Sequence, residues 1–205
     1  DGVPVVWRTQ LRPISYNRGI WAAAALFDQT RLHAALFNGA GLPGKGPWKN
    51  KNRVPVALQP ALVGAFNGGF MLRHMRGGYF TEGVEVKPLR KGHMTVGVRN
   101  DGRLVIGVYG VDLFNDGTWT SLRQNLPPVV LDGKSAISQN PREYWGDLKG
   151  EKKVFRSGLC VVADGRMMYT AMAMPTIEQF AEGLIAMGCV TAMQLDVNFD
   201  FLYFV

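Results

Sequence analysis

The chain has 205 residues, of which 47% are hydrophobic and 19% charged, a composition that allows one domain with a substantial core and excludes a disordered chain. Its net charge of +7 favours anionic partners such as phosphates or acidic glycans. The longest apolar run, Ile20–Phe27, is too short to span a membrane. The basic residues form no stripe interleaved with aromatic side chains, so nucleic-acid binding is not expected.

The N-terminal third contains short apolar stretches bounded by turns, a pattern typical of strands. The predicted strands are Val3–Trp7, Trp21–Phe27, Leu32–Phe37 and Leu62–Phe66. The last of them runs into the element Asn67-Gly68-Gly69-Phe70. Paired glycines let a backbone approach a ligand closely, and the Asn67 amide can orient a sugar hydroxyl or a phosphate oxygen. A plain turn that ends a strand explains the same residues.

Asp-Gly steps punctuate the rest of the chain and predict hairpins, because both residues accept the positive φ of tight hairpin turns. They lie at residues 101–102, 116–117, 132–133 and 164–165. The predicted strand pairs are Met94–Arg99 with Arg103–Tyr109, Val129–Leu131 with Ser135–Ile137, and Leu159–Ala163 with Met167–Ala171. The fold class that follows is α+β, a single domain of mostly antiparallel or mixed sheet with few helices.

One helix is expected near the C-terminus. Thr176 is a good N-cap, Gln179 completes a capping box with it, and Gly188 is placed to end the helix. Apolar residues recur between them at helical spacing: Ile177, Phe180, Ala181, Leu184 and Ile185.

The last strands and this helix determine where polar residues meet. The strand before the helix and the strand after it, which closes at Asp196, should run parallel through a right-handed crossover. Arg156, the helix N-terminus after Thr176 and Asp196 should then converge at one edge of the sheet. An arginine facing a helix N-terminus forms an anion site, and a neighbouring carboxylate can act as acid, base or metal ligand. A simple salt bridge between Arg156 and Asp196 has equal weight.

The histidines and cysteines give weaker signals. His93 precedes a strand and can reach a site, although an incidental histidine is the commoner case. Cys160 and Cys189 each lie in an apolar run. A buried pair of free thiols is the default interpretation, whereas a disulfide would favour export. None of these residues has metal-ligand spacing, so no metal site is predicted.

In order and spacing, these segments resemble the phosphodiester glycosidase family along most of the chain. Asn67–Phe70 resembles its Asn-Gly-Gly-Phe-Phe element, Gly92–Gly107 its central hairpin, and Pro127–Lys134 the segment that introduces its second half. Arg156–Cys160 resembles its Arg-Thr-Ala-Ile-Gly element, and Gly188–Asp196 resembles the approach to its Asn-Leu-Asp-Gly-Gly-Gly-Ser signature.

The C-terminal segment also departs from the family pattern. Gln194 stands where the family has asparagine, and Val-Asn-Phe-Asp follows Asp196 in place of the glycine-rich tail. The segment between the last hairpin and the helix is shortened. These departures favour either a changed substrate or a non-catalytic domain that binds an anionic glycan.

The resemblance implies hydrolysis of the glycosidic bond of a sugar-1-phosphodiester by one domain over residues 1–205. The candidate catalytic residues are Asp196, Arg156 and Asn67, and the candidate substrate-binding residues are Gly68, Gly69, Thr176 and His93. A standard glycosidase uses two carboxylates, and the candidates for the second are Glu82 and Asp200. No cofactor is expected, although a divalent cation held by Asp196 is compatible with the resemblance.

The expected partner is an anionic sugar phosphate or glycan. The chain starts abruptly at Asp1 and stops at Val205, so we expect that an export signal or anchor preceded it. The expected location is extracellular or in the cell envelope, with a role in envelope or exopolysaccharide metabolism.

Overall fold

The computed structural model describes residues 2–39, 43, 46–74, 76–139, 153–198, 200 and 204. In this part of the chain there are twelve strands and one α-helix, α1 (Ile177–Ala186), together with 3-10 turns at Gln29–Arg31, Val56–Ala61 and Ile137–Gln139. The strands are β1 (Val6–Leu11), β2 (Ala22–Phe27), β3 (Tyr79–Thr81), β4 (Val84–Lys87), β5 (Met94–Arg99), β6 (Leu104–Val108), β7 (Trp119–Gln124), β8 (Val130–Leu131), β9 (Lys134–Ser135), β10 (Arg156–Val162), β11 (Met167–Met172) and β12 (Cys189–Gln194).

The strands form two sheets. Within the described residues, each pair of neighbouring strands in either sheet is antiparallel. One sheet has seven strands in the order β1-β2-β11-β10-β12-β8-β9, and the other has five in the order β4-β3-β7-β5-β6. The predicted α+β class with mostly antiparallel sheet is therefore confirmed. No described helix is both long and apolar enough to cross a membrane.

The central strands of the seven-stranded sheet, β10, β11 and β12, are largely buried on both faces, which accounts for their apolar side chains. On one face α1 packs through Ile177, Phe180 and Leu184 against a cluster that includes Met172 and Ala192. On the other face, side chains of β10, β11 and β12 pack against those of β5 and β6 in a second cluster. The layers are therefore helix, seven-stranded sheet and five-stranded sheet, held together by hydrophobic burial.

The predicted helix and crossover are both present. Thr176 caps α1: its hydroxyl accepts from the Gln179 amide at 3.2 Å, while the Gln179 side chain accepts from the Thr176 amide at 3.1 Å. Gly188, with φ of +90°, follows the C-cap. Strands β11 and β12 are both antiparallel to β10, which lies between them, and are therefore parallel to each other.

The Asp-Gly hairpins form, but two of them use a different turn from the one expected. Only the step at 132–133 has positive φ at both residues. At 101–102 and 164–165 only the glycine has a positive φ. The backbone hydrogen bonds that close these turns, such as the one from the Arg99 amide to the Arg103 carbonyl, enclose three residues. The Asp101 carboxylate accepts from the Arg103 amide at 3.0 Å, which stabilises this longer loop. The step at 116–117 precedes β7 and joins no paired strands.

Two predicted strands are wrong. Leu32–Phe37 and Leu62–Phe66 have no ladder partner, apart from one bridge between Phe66 and Phe204. The free-thiol interpretation of the cysteines is also wrong, because Cys160 and Cys189 form a disulfide between β10 and β12.

Candidate active site

The edge at which β10 begins and β12 ends carries the central residues of the site. The Ser157 amide donates to the Asp196 carbonyl, and the Leu195 amide donates to the Ser157 carbonyl, each at 2.8 Å. Ser157 therefore faces two residues of the opposite strand, as in a β-bulge, a feature that re-aims side chains beside functional sites. The Asp196 amide also donates to the Ser157 hydroxyl at 3.1 Å. This bulge holds Asp196 next to Ser157.

The Asp196 carboxylate is half-buried and partly used by its own loop. Its Oδ1 accepts from the amides of Val197 at 2.7 Å and Asn198 at 3.1 Å. These bonds shape the turn after β12, as short aspartate side chains commonly do. The contacts among described residues leave the second oxygen, Oδ2, available to a substrate or a water molecule.

Asn67 lies within hydrogen-bond range of the same cluster. Its Oδ1 accepts from the hydroxyls of Ser157 and Tyr169, both at 3.5 Å. Its Nδ2 is buried and has no hydrogen-bond partner among the described residues. A buried donor left unsatisfied costs about 1–3 kcal/mol, so Asn67 Nδ2 points to a ligand oxygen as its partner.

The Asn125 side chain links the Asn-Gly-Gly-Phe loop to the end of β12 by hydrogen bonds. Its Oδ1 accepts from the Phe70 amide at 3.2 Å, and its Nδ2 donates to the carbonyls of Gln194 at 2.8 Å and Leu195 at 3.0 Å. The side chain is fully buried, so these three bonds satisfy it without solvent. Asn125 therefore sets the position of the loop relative to Asp196.

The two glycines of this loop have different roles. Gly69 has φ of +117°, and a Cβ there would lie 2.2 Å from Asn125 Nδ2. Glycine is required at this position by both the backbone conformation and the contact. A Cβ at Gly68 would make an ordinary contact with Leu36 at 3.7 Å. Gly69 therefore approaches Asn125 closely, and contact of Gly68 or Gly69 with a ligand stays a prediction.

Arg156 is fully buried on the helix side of the sheet. Its Nη1 donates to Gln194 Oε1 at 2.6 Å and its Nε donates to the Pro175 carbonyl at 3.3 Å. Burial lowers the pKa of Arg156 to about 10, against the attraction of Glu178. No salt bridge joins Arg156 to Asp196 in the described structure. Arg156 thus joins the helix N-terminus to β12, as the topology predicted, through Gln194 and Pro175.

Gln194 is the residue that replaces the family asparagine, and it carries a second unsatisfied donor. Its Nε2 is buried and has no hydrogen-bond partner among the described residues. Because Arg156 fixes its Oε1, the orientation of this amide is determined. Together with Asn67, Gln194 supplies two buried donors near the end of β12.

Arg123 brings a second guanidinium to the site, from β7 of the other sheet. It donates to the carbonyls of Phe70 and Gln124 and lies 5.5 Å from the centre of the Tyr79 ring. Burial lowers the pKa of Arg123 to about 10, while nearby Tyr79 and Asp196 oppose this shift. The negative charge of Asp196 thus favours the protonated form of this guanidinium.

Two further cations lie beside Arg123. Burial lowers the pKa of Lys87, and repulsion from Arg90 and Arg123 lowers it further. The Lys87 ammonium donates to the Leu72 carbonyl at 2.7 Å. We call Lys87, Arg90 and Arg123 the cation flank. Mutual repulsion of this kind is relieved by a bound anion.

His93 and Thr176, two predicted substrate-binding residues, contact protein groups. His93 is 5% exposed, and its Nδ1 lies 2.7 Å from the Asn125 carbonyl oxygen. Burial lowers the pKa of His93, and Arg90 and Lys87 add to the effect. The Thr176 hydroxyl accepts the hydrogen bond from the Gln179 amide that caps α1. Contact of either residue with substrate stays a prediction.

Neither candidate for a second carboxylate joins the Asp196 cluster in the described structure. The two oxygens of Glu82 accept from the amides of Lys49 at 2.6 Å and Asn50 at 2.8 Å. Glu82 therefore anchors a loop on the five-stranded sheet. Asp200 is exposed, and its amide donates to Asn198 Oδ1 at 3.1 Å. The described residues also contain no group of three or more His, Cys, Asp or Glu side chains placed to hold a metal ion.

Sequence reasoning missed Ser157, Tyr169, Arg123 and Asn125. Their signal is weak, because each is a single polar residue in or just after a strand. The one usable hint was position: Asn125 follows β7 directly, and Ser157 follows the singled-out Arg156.

The fold and the site define a two-sheet α+β protein whose sheet edge combines a carboxylate, two amides and cations, a set suited to an anionic substrate. A family model described as phosphodiester glycosidase matches residues 61–196, about two thirds of the sequence. The chain belongs to the phosphodiester glycosidase family.

Solved structures show the same fold at low identity. The catalytic domain of zebrafish N-acetylglucosamine-1-phosphodiester alpha-N-acetylglucosaminidase, described as auto-inhibited by its pro-peptide, is 18% identical with a TM-score of 0.66. The alignment covers 100% of this chain and 74% of the zebrafish one. A hypothetical protein from Synechocystis is 11% identical with a TM-score of 0.54, covering 98% of this chain and 58% of that one. No protein with a curated description matches significantly.

Proposed function

We propose that this chain is a hydrolase that cleaves the glycosidic C–O bond of a sugar-1-phosphodiester and leaves a phosphomonoester on the carrier. The observation that carries the proposal is the cluster of Asp196, Ser157 and Asn67, in which a carboxylate oxygen and a buried amide donor have no hydrogen-bond partner among the described residues. Membership of the family and the cationic surroundings support it.

The chemistry of this bond fits a site with one carboxylate. The departing group is a phosphate monoester, which leaves readily as an anion, so little acid catalysis is needed. The main requirements are to stabilise a cationic, oxocarbenium-like sugar and to place a water molecule. Oδ2 of Asp196 can do either: it faces the developing positive charge, or it accepts a proton from the attacking water. The water oxygen ends on the sugar and the bridging oxygen stays with phosphate.

The phosphate group is placed by the cations. Arg156 is fully buried and engaged with Gln194, so we assign it the role of holding that amide. Arg123 is only partly buried, and it donates to the Phe70 carbonyl of the loop that begins at Asn67. Arg123 is therefore the better candidate for direct contact with the substrate phosphate, and guanidinium groups match phosphate oxygens well.

An extracellular or cell-envelope location, with a role in envelope or exopolysaccharide metabolism, is part of the proposal. The Cys160–Cys189 disulfide supports it, because structural disulfides persist in oxidising compartments.

A second candidate function, binding of an anionic glycan without turnover, is favoured by one observation. Both glycosidase carboxylates are normally needed, and only Asp196 lies in the cluster among the described residues. Turnover separates the two candidates.

The test is hydrolysis of a glycosyl phosphodiester, or of the related glycosyl diphosphate UDP-N-acetylglucosamine, by wild type and by Asp196→Asn. We expect the variant to lose about 100-fold or more in kcat, with its circular dichroism unchanged. Asp132→Asn is the matched control: it makes the same chemical change in an exposed hairpin turn, at φ of 49°, which asparagine tolerates. Equal turnover in all three proteins would remove Asp196 from the mechanism, and no turnover in wild type would favour the binding function.

A further inference from the structure

A cavity of about 560 Å³ lies on the face of the seven-stranded sheet that is shared by β1, β2 and β11. Its floor is formed by the small side chains of Ala23, Ala25 and Ala171, and Tyr169 lines one side. Arg8 is the only charged residue of its lining in the described part of the chain. The volume falls within the usual range of small-molecule sites, which is about 300–1,000 Å³.

Strand register connects this cavity directly to the candidate active site. Gln10 pairs with Ala23, Ala23 with Ala171, and Ala171 with Ser157. Paired residues of antiparallel strands point to the same face, and neighbouring strands are about 4.8 Å apart. The cavity floor therefore continues, one strand further, into Ser157. The Tyr169 hydroxyl strengthens the connection, because it donates to Asn67 Oδ1 at 3.5 Å.

Charge distinguishes the two sides of the Asp196 cluster. Among the described residues, the cavity is lined by alanine, aromatic, hydroxyl and amide groups, with Arg8 as the one cation, on the exposed edge strand β1. The cation flank comes from the side of the five-stranded sheet, where Arg123 donates to the Phe70 carbonyl of the loop that begins at Asn67, and none of its three residues lines the cavity. An anionic group is favoured on the cation flank, and an uncharged group is favoured over the alanine floor.

We infer that the alanine-floored cavity is the subsite for the glycosyl group of the substrate, with its phosphate directed towards Arg123. This inference rests on the proposed function, and it adds the orientation of the bound substrate. The anomeric carbon then lies between the alanine-floored cavity and the cation flank, next to Asp196 and Ser157. The floor offers an apolar surface to the C–H face of a sugar ring, while Gln10 and Tyr169 offer polar atoms to its hydroxyls.

The test fills the cavity at two alanines that are not themselves part of the catalytic cluster. Ala23→Leu adds bulk at a half-buried position that opens into the cavity, and Ala171→Leu does the same one strand away. Thr191→Leu is the control, because it places leucine at another half-buried strand position that does not line the cavity. Each protein is assayed for KM with a glycosyl phosphodiester, for inhibition by inorganic phosphate, and for binding of free N-acetylglucosamine and mannose by saturation-transfer NMR.

The filled variants should show a KM raised by about tenfold or more and a weaker saturation-transfer signal for the free sugar. Their inhibition constants for inorganic phosphate should stay within about twofold of wild type. Arg90→Gln, at an exposed position on the cation flank, should do the reverse: it should weaken inhibition by inorganic phosphate and leave saturation transfer to the free sugar unchanged. The Thr191→Leu protein should match wild type in all three readouts.

Two results would overturn the inference while the proposed function stands: unchanged KM in both filled variants, or weaker phosphate inhibition in them with sugar binding intact. The sugar-binding readout does not depend on turnover. Loss of sugar binding in the filled variants of a protein without activity would therefore support the subsite and reject the hydrolase. Absence of a saturation-transfer signal for both sugars in wild type would reject the subsite.

Discussion

At the scale of residues, the site depends on one buried amide whose three hydrogen bonds all go to backbone groups. Asn125 joins the Phe70 amide to the carbonyls that end β12, and its own carbonyl contacts His93. Asn67 and Asp196 come from segments far apart in sequence, so their distance is fixed through this junction. A neutral amide suits the position because it must accept one bond and donate two. The sequence could show that Asn125 follows a strand, but its three partners are set only by the tertiary fold.

His93 makes a pH-dependent contribution to stability. Burial lowers the pKa of His93 below its ordinary 6.5, so the folded protein holds it neutral while the unfolded chain takes up a proton near pH 6.5. Below that pH the unfolded state binds more protons, and the free energy of unfolding falls as pH falls. Urea unfolding at pH 7.5 and 5 should show a smaller acid loss for His93→Gln than for wild type. An equal loss in the two proteins would show that another group causes the acid sensitivity.

At the scale of elements, the C-terminal part of the fold could be predicted because its signals are local. The capping box at Thr176, the helical spacing after it and the turn at 164–165 each depend on a few adjacent residues. The five-stranded sheet was only partly predicted, since β3 and β4 are three and four residues long. Strand β7 was missed because it buries polar residues such as Gln124, whose amide is satisfied by Arg90 and Gly78 backbone groups.

The disulfide acts between the two strands that carry the site. It joins β10 to β12 across 29 residues of sequence, and constraint of a loop of this length is worth about 3–4 kcal/mol in the chain-entropy model. The variant Cys160→Ala/Cys189→Ala should therefore unfold with a free energy lower by about 3 kcal/mol in urea. Wild type unfolded with a reductant present is the matched comparison, and it should approach the variant. A loss below about 0.5 kcal/mol would show that packing alone fixes these strands.

At the scale of the whole molecule, the candidate site lies where the open end of one sheet meets a basic surface of the other. The seven-stranded sheet supplies Asp196, Ser157 and the alanine floor, whereas the five-stranded sheet supplies Lys87 and Arg123. Matching the ends of β10, β11 and β12 was enough to predict that Arg156 lies at the N-terminal end of α1, whereas its direct contact with Asp196 is replaced by a bond to Gln194. The contribution of the second sheet could not be predicted, because face-to-face packing depends on contacts between residues distant in sequence. That packing decides which cation approaches Asp196.

The most direct test of the account is to locate the oxygen that hydrolysis adds. A glycosyl phosphodiester is hydrolysed by wild type in ¹⁸O-labelled water, and the phosphomonoester product is examined by phosphorus-31 NMR. Cleavage of the glycosidic C–O bond predicts that the product phosphate contains no label, because the water oxygen enters the sugar. An isotope-shifted phosphorus resonance would show attack at phosphorus and would contradict the assignment of this site as a glycosidase.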